Sequence, residues 1–258
     1  ASALGGIVFH PVSTGPFGEL PLSELREAIR PAASNIHYAP PGAICVESTH
    51  NRCGGTILPS VYLRGVKALA DHARVPVHLD GSRIFNAAIA RGCDVREFTN
   101  RVASVQFCLS KGLSAPVGSL LCGTKDFIAK ARRYRKMIGG GMRQAGIIAA
   151  AGIVALTEMV DRLAEDHHTA RQLAEGLVDL PGMRLNLETV QTNIVIFGPK
   201  NPPPEGPSLA QVLAREGVKI GDIGGGRFRA VTHYGITAKD IEEAVRVLRK
   251  VWTEFVRV

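Results

Sequence analysis

Val77-His-Leu-Asp80-Gly-Ser-Arg83 and, one crossover later, Ser104-Val-Gln-Phe-Cys-Leu-Ser-Lys111-Gly are the stretches that decide how this chain folds. The first puts a carboxylate at the end of an apolar strand, with Gly81 opening a turn. The second puts a lysine at the end of the next strand. Thirty-one positions separate Asp80 from Lys111, room for a helix and a return strand. A right-handed β-α-β crossover brings both residues to the same carboxyl edge of one sheet. Open α/β sheets bind their ligands at that edge. An acid and an amine on adjacent strand ends suit pyridoxal phosphate. The lysine forms the imine, and the carboxylate stabilises the protonated ring nitrogen so that the ring takes up electrons. A partly desolvated pocket is expected around the lysine, which favours its free amine. By itself such a pair is common in α/β proteins, where it often serves only as a turn former or a surface ion pair.

Outward from these strings, apolar runs at 7–10, 43–47, 75–80, 104–109 and 117–122 read as strands. Helical patterns occupy 22–30, 60–74, 83–91 and 125–137, with Ser23 and Thr124 as N-caps. The alternation predicts an α/β fold, a mixed and mostly parallel sheet with helices on both faces. The short link between 104–109 and 117–122 allows one antiparallel pair. After the triple glycine 139–141, one long helix is expected over 142–180, ended by Pro181-Gly182. Its apolar start, 146–156, reads as buried. Strands at 184–187, 193–197 and 227–232 follow, interleaved with helices at 208–216 and 238–256 and a proline-rich loop at 199–207. These patterns divide the chain into a large unit, 1–155, and a smaller C-terminal α+β unit, 156–258.

Composition sets outer limits. The 258 residues are 45% hydrophobic and 21% charged, ordinary for a water-soluble globular protein. No apolar run is long enough to span a bilayer, and no membrane partner is expected. Cys45, Cys53, Cys93, Cys108 and Cys122 form no C-x-x-C pair and no zinc-spaced cluster, which predicts reduced thiols, a cytoplasmic location and no metal. A net charge of +8 raises the question of nucleic acid. The densest basic run, Lys130-Ala-Arg-Arg-Tyr-Arg-Lys136, lies in a helical segment without a reader motif, so it reads as a solvated or subunit-contact face. Anionic small ligands are a further use for the charge.

Four strings carry more information than the Asp/Lys pair. Glu47-Ser-Thr-His-Asn51, His78-Leu-Asp-Gly-Ser-Arg-Ile-Phe-Asn-Ala87, Cys108-Leu-Ser-Lys-Gly-Leu-Ser-Ala-Pro-Val-Gly-Ser119 and Arg135-Lys-Met-Ile-Gly-Gly-Gly-Met-Arg-Gln-Ala-Gly146 resemble, in order, the low-specificity L-threonine aldolases. These belong to the β-eliminating lyase group of fold type I pyridoxal-phosphate enzymes. The resemblance implies a cytosolic homotetramer that cleaves L-threonine or L-allo-threonine to glycine and acetaldehyde through a Schiff base and a quinonoid. It implies that Lys111 holds the cofactor, Asp80 its ring, and Arg83 and Arg229 the substrate carboxylate. His37 matches a histidine near the substrate hydroxyl. Lys136 and Arg143 match residues that reach a neighbouring subunit's cofactor phosphate, with Arg83 also counted among the cofactor contacts. His50 is expected to serve a local hydrogen-bond network.

The family's chains begin well before this one. The segment expected to be missing holds the glycine-rich phosphate cradle, a ring-stacking histidine and much of the tetramer contact. The glycines at 139–141 and 224–226 match neither a P-loop nor G-x-G-x-x-G. Three alternatives therefore stand beside the aldolase reading: β-elimination on another β-substituted amino acid, a chain of this fold with impaired catalysis, and a basic nucleic-acid binder.

Overall fold

Alternate residues of a strand point to opposite faces, and in Val77–Asp80 that rule sets the first sheet. Val77 and Leu79 are buried, while His78 and Asp80 stand half-buried on the other face. A computed structural model describes residues 2–30, 36–201 and 206–256. After α1 (Ser2–Gly5) and α2 (Leu22–Ala28), the first sheet is built from β1 (Ile44–Glu47), β2 (Val77–Asp80), β3 (Ser104–Cys108) and β4 (Ser119–Gly123) in that spatial order. β1, β2 and β3 run parallel, and β4 returns antiparallel to β3 as the short link allows. Between them lie α3 (Ser60–Ala73), α4 (Ile84–Arg91) and α5 (Arg96–Thr99).

The core of this half lies on the sheet face that carries Ile44 and Val46 of β1 beside Val77 and Leu79. Val77, Leu79 and Val105 meet Leu63, Val66 and Ala70 of α3, Ile84 and Ala87 of α4, and Phe98 of α5. In α3 the buried positions recur at the helical period, and the helix stops where Arg74 takes a left-handed conformation at φ 58°.

Beyond β4 come α6 (Lys125–Met137), α7 (Gly146–Glu158) and α8 (Leu163–Leu177). Thr124 caps α6 by accepting from Phe127 N at 3.3 Å, as its sequence position predicts. A second sheet, fully antiparallel, joins β5 (Met183–Arg184), β6 (Ile194–Pro199), β8 (Phe228–Val231) and β7 (Gly221–Asp222) in that spatial order. α9 (Leu209–Arg215) and α10 (Ala238–Phe255) each start with a capping box, Ser208 with Gln211 and Thr237 with Asp240. Leu177, Phe197, Phe228 and Trp252 fill the second core, and Trp252 Nε1 donates to Pro181 O at 2.9 Å. All five cysteines are free thiols. Among the described residues no helix is long and apolar enough to cross a membrane.

Four expectations need correction. Residues 7–10 form no strand; Ile7, Val8 and Phe9 are exposed, and an apolar run without a partner to pair with gains nothing from extending. Leu22–Ala28 is capped by Pro21 rather than Ser23. The expected long helix breaks at 159–162, which turns α8 so that Leu163 enters the core beside Leu109 and Leu113. Finally, α7 is not a buried helix: only Gly152 and Ala155 are buried, and Ile147 and Ile153 face outward at 81% and 63% exposure. A helix apolar on every side signals burial, but it does not say that this chain's own residues do the covering. Of the loop at 199–207, residues 202–205 lie outside the described residues.

The halves meet where α4 packs on α8, and the seam is polar: Asn86, Asp166, Asn193 and Thr232 are all buried there. His167 sits in it, and burial drives its pKa down to about 4, the nearby Asp166 opposing. An unfolded chain takes up this proton near pH 6.5 and the folded chain only near 4. Stability from His167 is therefore complete at neutral pH and lost as pH falls across that window. Urea titrations at pH 7 and pH 5 should differ by about 2 kcal/mol from this group, and His167→Gln should remove that part of the difference. Separately, Trp252→Ala should cost about 3–5 kcal/mol in the same titration.

Candidate active site

Because β2 and β3 are parallel, Asp80 and the turn bearing Lys111 leave the sheet at one edge. The turn after Asp80 is laid directly on β3. Gly81 N donates to Gln106 O at 2.9 Å and Cys108 N donates to Ser82 O at 3.2 Å. A Cβ at Gly81 would stand 3.0 Å from both Gln106 O and Val105 Cγ2, so close docking of the two strand ends needs glycine. The Asp80 carboxylate is held through one oxygen. Oδ1 accepts from Ser82 N at 3.1 Å, from Ser82 Oγ at 2.8 Å and from Gln106 Nε2. Gln106 Nε2 also reaches Ser82 Oγ at 2.9 Å. Oδ2 takes none of these donors and stays presented at the edge.

Lys111 lies in a turn closed by Ala115 N donating to Leu109 O at 3.0 Å and Ser114 N donating to Lys111 O at 2.9 Å. The next residue, Gly112, is pressed against α8, where a Cβ would meet Leu163 Cδ2 at 2.8 Å. Backbone position is thus fixed on one side of the lysine. The side chain itself is exposed. The expected partly desolvated pocket is not formed around it by the described residues, because the neighbouring β4 is open on both faces.

The two arginines reach the site from different halves. Arg83 ends the Asp80 turn and stands at the start of α4, and Arg229 lies on β8. Arg229 Nη1 donates to Asn51 Oδ1 at 2.9 Å, and Asn51 N donates to Glu47 Oε1 at 2.9 Å, so the end of β1 holds Arg229 in place. Burial lowers the pKa of Arg83, and the Arg229 charge lowers it further, against smaller opposing effects of Cys108, Glu47 and Asp80. Arg83 Nε and Arg229 Nε are both buried and have no hydrogen-bond partner. Two part-buried guanidinium groups within electrostatic reach of each other, each with an unpartnered Nε, fit an anion, and the forked geometry of arginine fits a carboxylate. With Asp80 Oδ2 and Lys111 on the same edge, the residues present also fit the ring and the carbonyl carbon of pyridoxal phosphate.

The other expected residues lie outside the Asp80 and Lys111 turns. His37 is exposed in the turn 36–38, beside Tyr38, whose ring Arg30 covers at 4.6 Å. Lys136 and Arg143 are exposed around the glycine turn 139–141, which folds back on the last turn of α6. His50 differs from expectation. Its backbone makes the local network, with N donating to Thr56 O at 2.8 Å, while its ring stands 3.7 Å from Glu47 and keeps Nδ1 buried without a partner. Sequence reasoning missed Gln106 and Asn51 as site residues. Gln106 had a usable signal: it is a polar residue in an apolar strand, two positions from Cys108 and in register with Asp80.

The sequence pattern of the beta-eliminating lyase family matches residues 1–198. The chain belongs to that family. Within it, the chain is 38% identical over 241 residues to low-specificity L-threonine aldolase 1 of Arabidopsis thaliana, covering 93% of this chain and 67% of the plant protein. It is 46% identical over 177 residues to the low specificity L-threonine aldolase of Escherichia coli, covering 69% of this chain and 52% of that protein. The chain thus spans about two thirds of the plant relative and about half of the bacterial one. Among solved structures, a Leishmania major threonine aldolase superposes with a TM-score of 0.74 at 17% identity, over 93% of this chain and 69% of that one. A Sphingomonas wittichii serine palmitoyltransferase gives 0.68 at 16% identity over 92% and 60%. At such identities the likeness is one of fold: the α/β architecture of fold type I pyridoxal-phosphate enzymes.

The two arginines make a physical prediction for the chain without ligand. Replacing Arg83 by Met removes a desolvated charge that opposes Arg229, so Arg83→Met should raise stability by about 1 kcal/mol in urea unfolding. A loss of stability instead would mean that Arg83 already has an internal counter-charge.

Proposed function

We propose that this protein is a pyridoxal-phosphate-dependent lyase that cleaves L-threonine and L-allo-threonine to glycine and acetaldehyde, working as a homotetramer in the cytoplasm. What supports the reading is that Asp80 and the Lys111 turn leave parallel strands at one sheet edge, with Arg83 just after Asp80 and the Arg229 charge near enough to lower the Arg83 pKa. Membership of the family and identities of 38% and 46% to threonine aldolases support the choice of substrate. Bound there, pyridoxal phosphate would supply an acceptor for the electron pair released from the Cα–Cβ bond.

This chain's own residues would do the rest. Lys111 would hold the cofactor covalently and be free to move a proton once substrate has taken its place. Asp80, oriented by Ser82 and Gln106, would keep the ring nitrogen protonated. Arg83 and Arg229 would bind the substrate carboxylate, the second already aimed by Asn51. His37 would take the β-hydroxyl proton as the Cα–Cβ bond breaks, and Cα would gain a proton to give glycine. Lys136 and Arg143 would serve a cofactor phosphate across a subunit boundary.

The test is direct. On adding pyridoxal phosphate the protein should gain a visible absorption band, and borohydride should fix the cofactor's mass on the peptide containing Lys111. L-threonine should then give acetaldehyde and glycine in equal amounts; 2-oxobutyrate with ammonia would move the activity to β-elimination. Lys111→Ala should abolish the label and lower turnover by at least about a thousandfold, and undiminished cleavage in that variant would refute the assignment. His37→Ala should lower kcat by about a hundredfold or more.

A further inference from the structure

Three positions past Arg83, Asn86 is buried in the seam between the halves. Its Nδ2 lies 3.1 Å from His167 Nε2 on α8 and 3.5 Å from Asn193 Oδ1 beside the start of β6. The direction of these contacts can be derived from one fixed point. Thr232 O, a backbone carbonyl, only accepts, so the Asn193 amide nitrogen 2.8 Å away must face it. Asn193 therefore turns its oxygen toward Asn86, Asn86 must answer with its NH2 group, and His167 Nε2 must accept the second hydrogen. That requires a neutral ring with its proton on Nδ1, the form that burial favours here.

The same seam adjoins the segments that carry Arg229, Lys111 and Arg83. Thr232 lies three residues beyond Arg229; its N donates to Asn193 O at 3.0 Å and its Oγ1 donates to Asp166 O. Asp166 pairs with Arg162, whose guanidinium covers the Tyr234 ring at 5.1 Å. Asn86 and Leu163 are the residues against which Gly112, next to Lys111, is packed. Arg83 leads directly into the helix that carries Asn86.

We propose that Asn86, His167 and Asn193 are positioning residues that clasp the two halves and set the spacing between Arg83 and Arg229, and with it the grip on the substrate carboxylate. The clasp touches no reacting atom. It acts by holding α4 against β8 so that the guanidinium groups of Arg83 and Arg229 meet one carboxylate. Its effect on substrate rests on the aldolase reading above; its effect on the seam does not.

Two substitutions of similar polarity separate the role from simple packing. In His167→Gln the amide oxygen extends to where Nε2 stands and accepts from Asn86. In His167→Asn the side chain is too short to reach. With the full chain loaded with pyridoxal phosphate, His167→Asn should raise KM for L-threonine about fivefold to tenfold, the scale of one lost hydrogen bond. Its kcat should stay within about twofold, and His167→Gln should restore KM to near the wild-type value. Hydrogen exchange provides the readout that needs no activity. Peptides spanning α4 and Thr232 should exchange faster in His167→Asn and at the wild-type rate in His167→Gln. If wild type cleaves no L-threonine, the aldolase reading fails and the exchange rates alone judge the clasp. Equal exchange in the two variants, or a KM in His167→Asn matching wild type where cleavage occurs, overturns it.

Discussion

The parallel register of β2 on β3 is the constraint on which the rest of the site depends. It sets Asp80 beside Gln106, lets Gly81 and Ser82 bond to the partner strand, and delivers the Lys111 turn to the same edge. Slipping β2 by one residue would send Asp80 and His78 into the apolar core and Val77 and Leu79 out of it. Burial of Leu79 and Val105 thus enforces the position of a carboxylate that itself adds little to stability. The chemistry is held in place by hydrophobic residues on the other side of the sheet.

A second dependence runs between the halves. The proposed anion site pairs Arg83 at the start of α4 with Arg229 on β8, so neither half alone contains it. Two like charges brought together and partly dried repel each other, and at Arg83 burial and the Arg229 charge outweigh the opposing effects of Cys108, Glu47 and Asp80. Free energy from the apolar cores must hold them at that distance. Such a site is poorly satisfied until an anion arrives, which is why its affinity is set by geometry rather than by charge alone.

Legibility from sequence followed the range of the contacts. The parallel strands that lead to Asp80 and to the Lys111 turn could be read because each is an apolar run, and the handedness of the crossover sets their carboxyl ends at one edge. The Thr124 cap and the antiparallel β4 are local and were equally readable. Asn51 was not, because its partner Arg229 lies 178 positions away and no local pattern links a turn after β1 to β8. The Asn86, His167 and Asn193 cluster escaped for the same reason, its contacts spanning 81 and 107 positions. Helix α7 shows a different limit. Its composition reports a preference for burial, and composition cannot say against what.

Gly112 carries a consequence for how this protein can change over time. The residue after Lys111 is pressed on the buried Leu163, which a Cβ at 112 would force to shift. Drift around the lysine is therefore lopsided: Ser110, exposed on the other flank, is open to replacement, whereas a side chain at 112 requires Leu163 to move or to change. Lineages that alter the lysine's surroundings should do so from its N-terminal side, or by paired substitutions that reach across to α8.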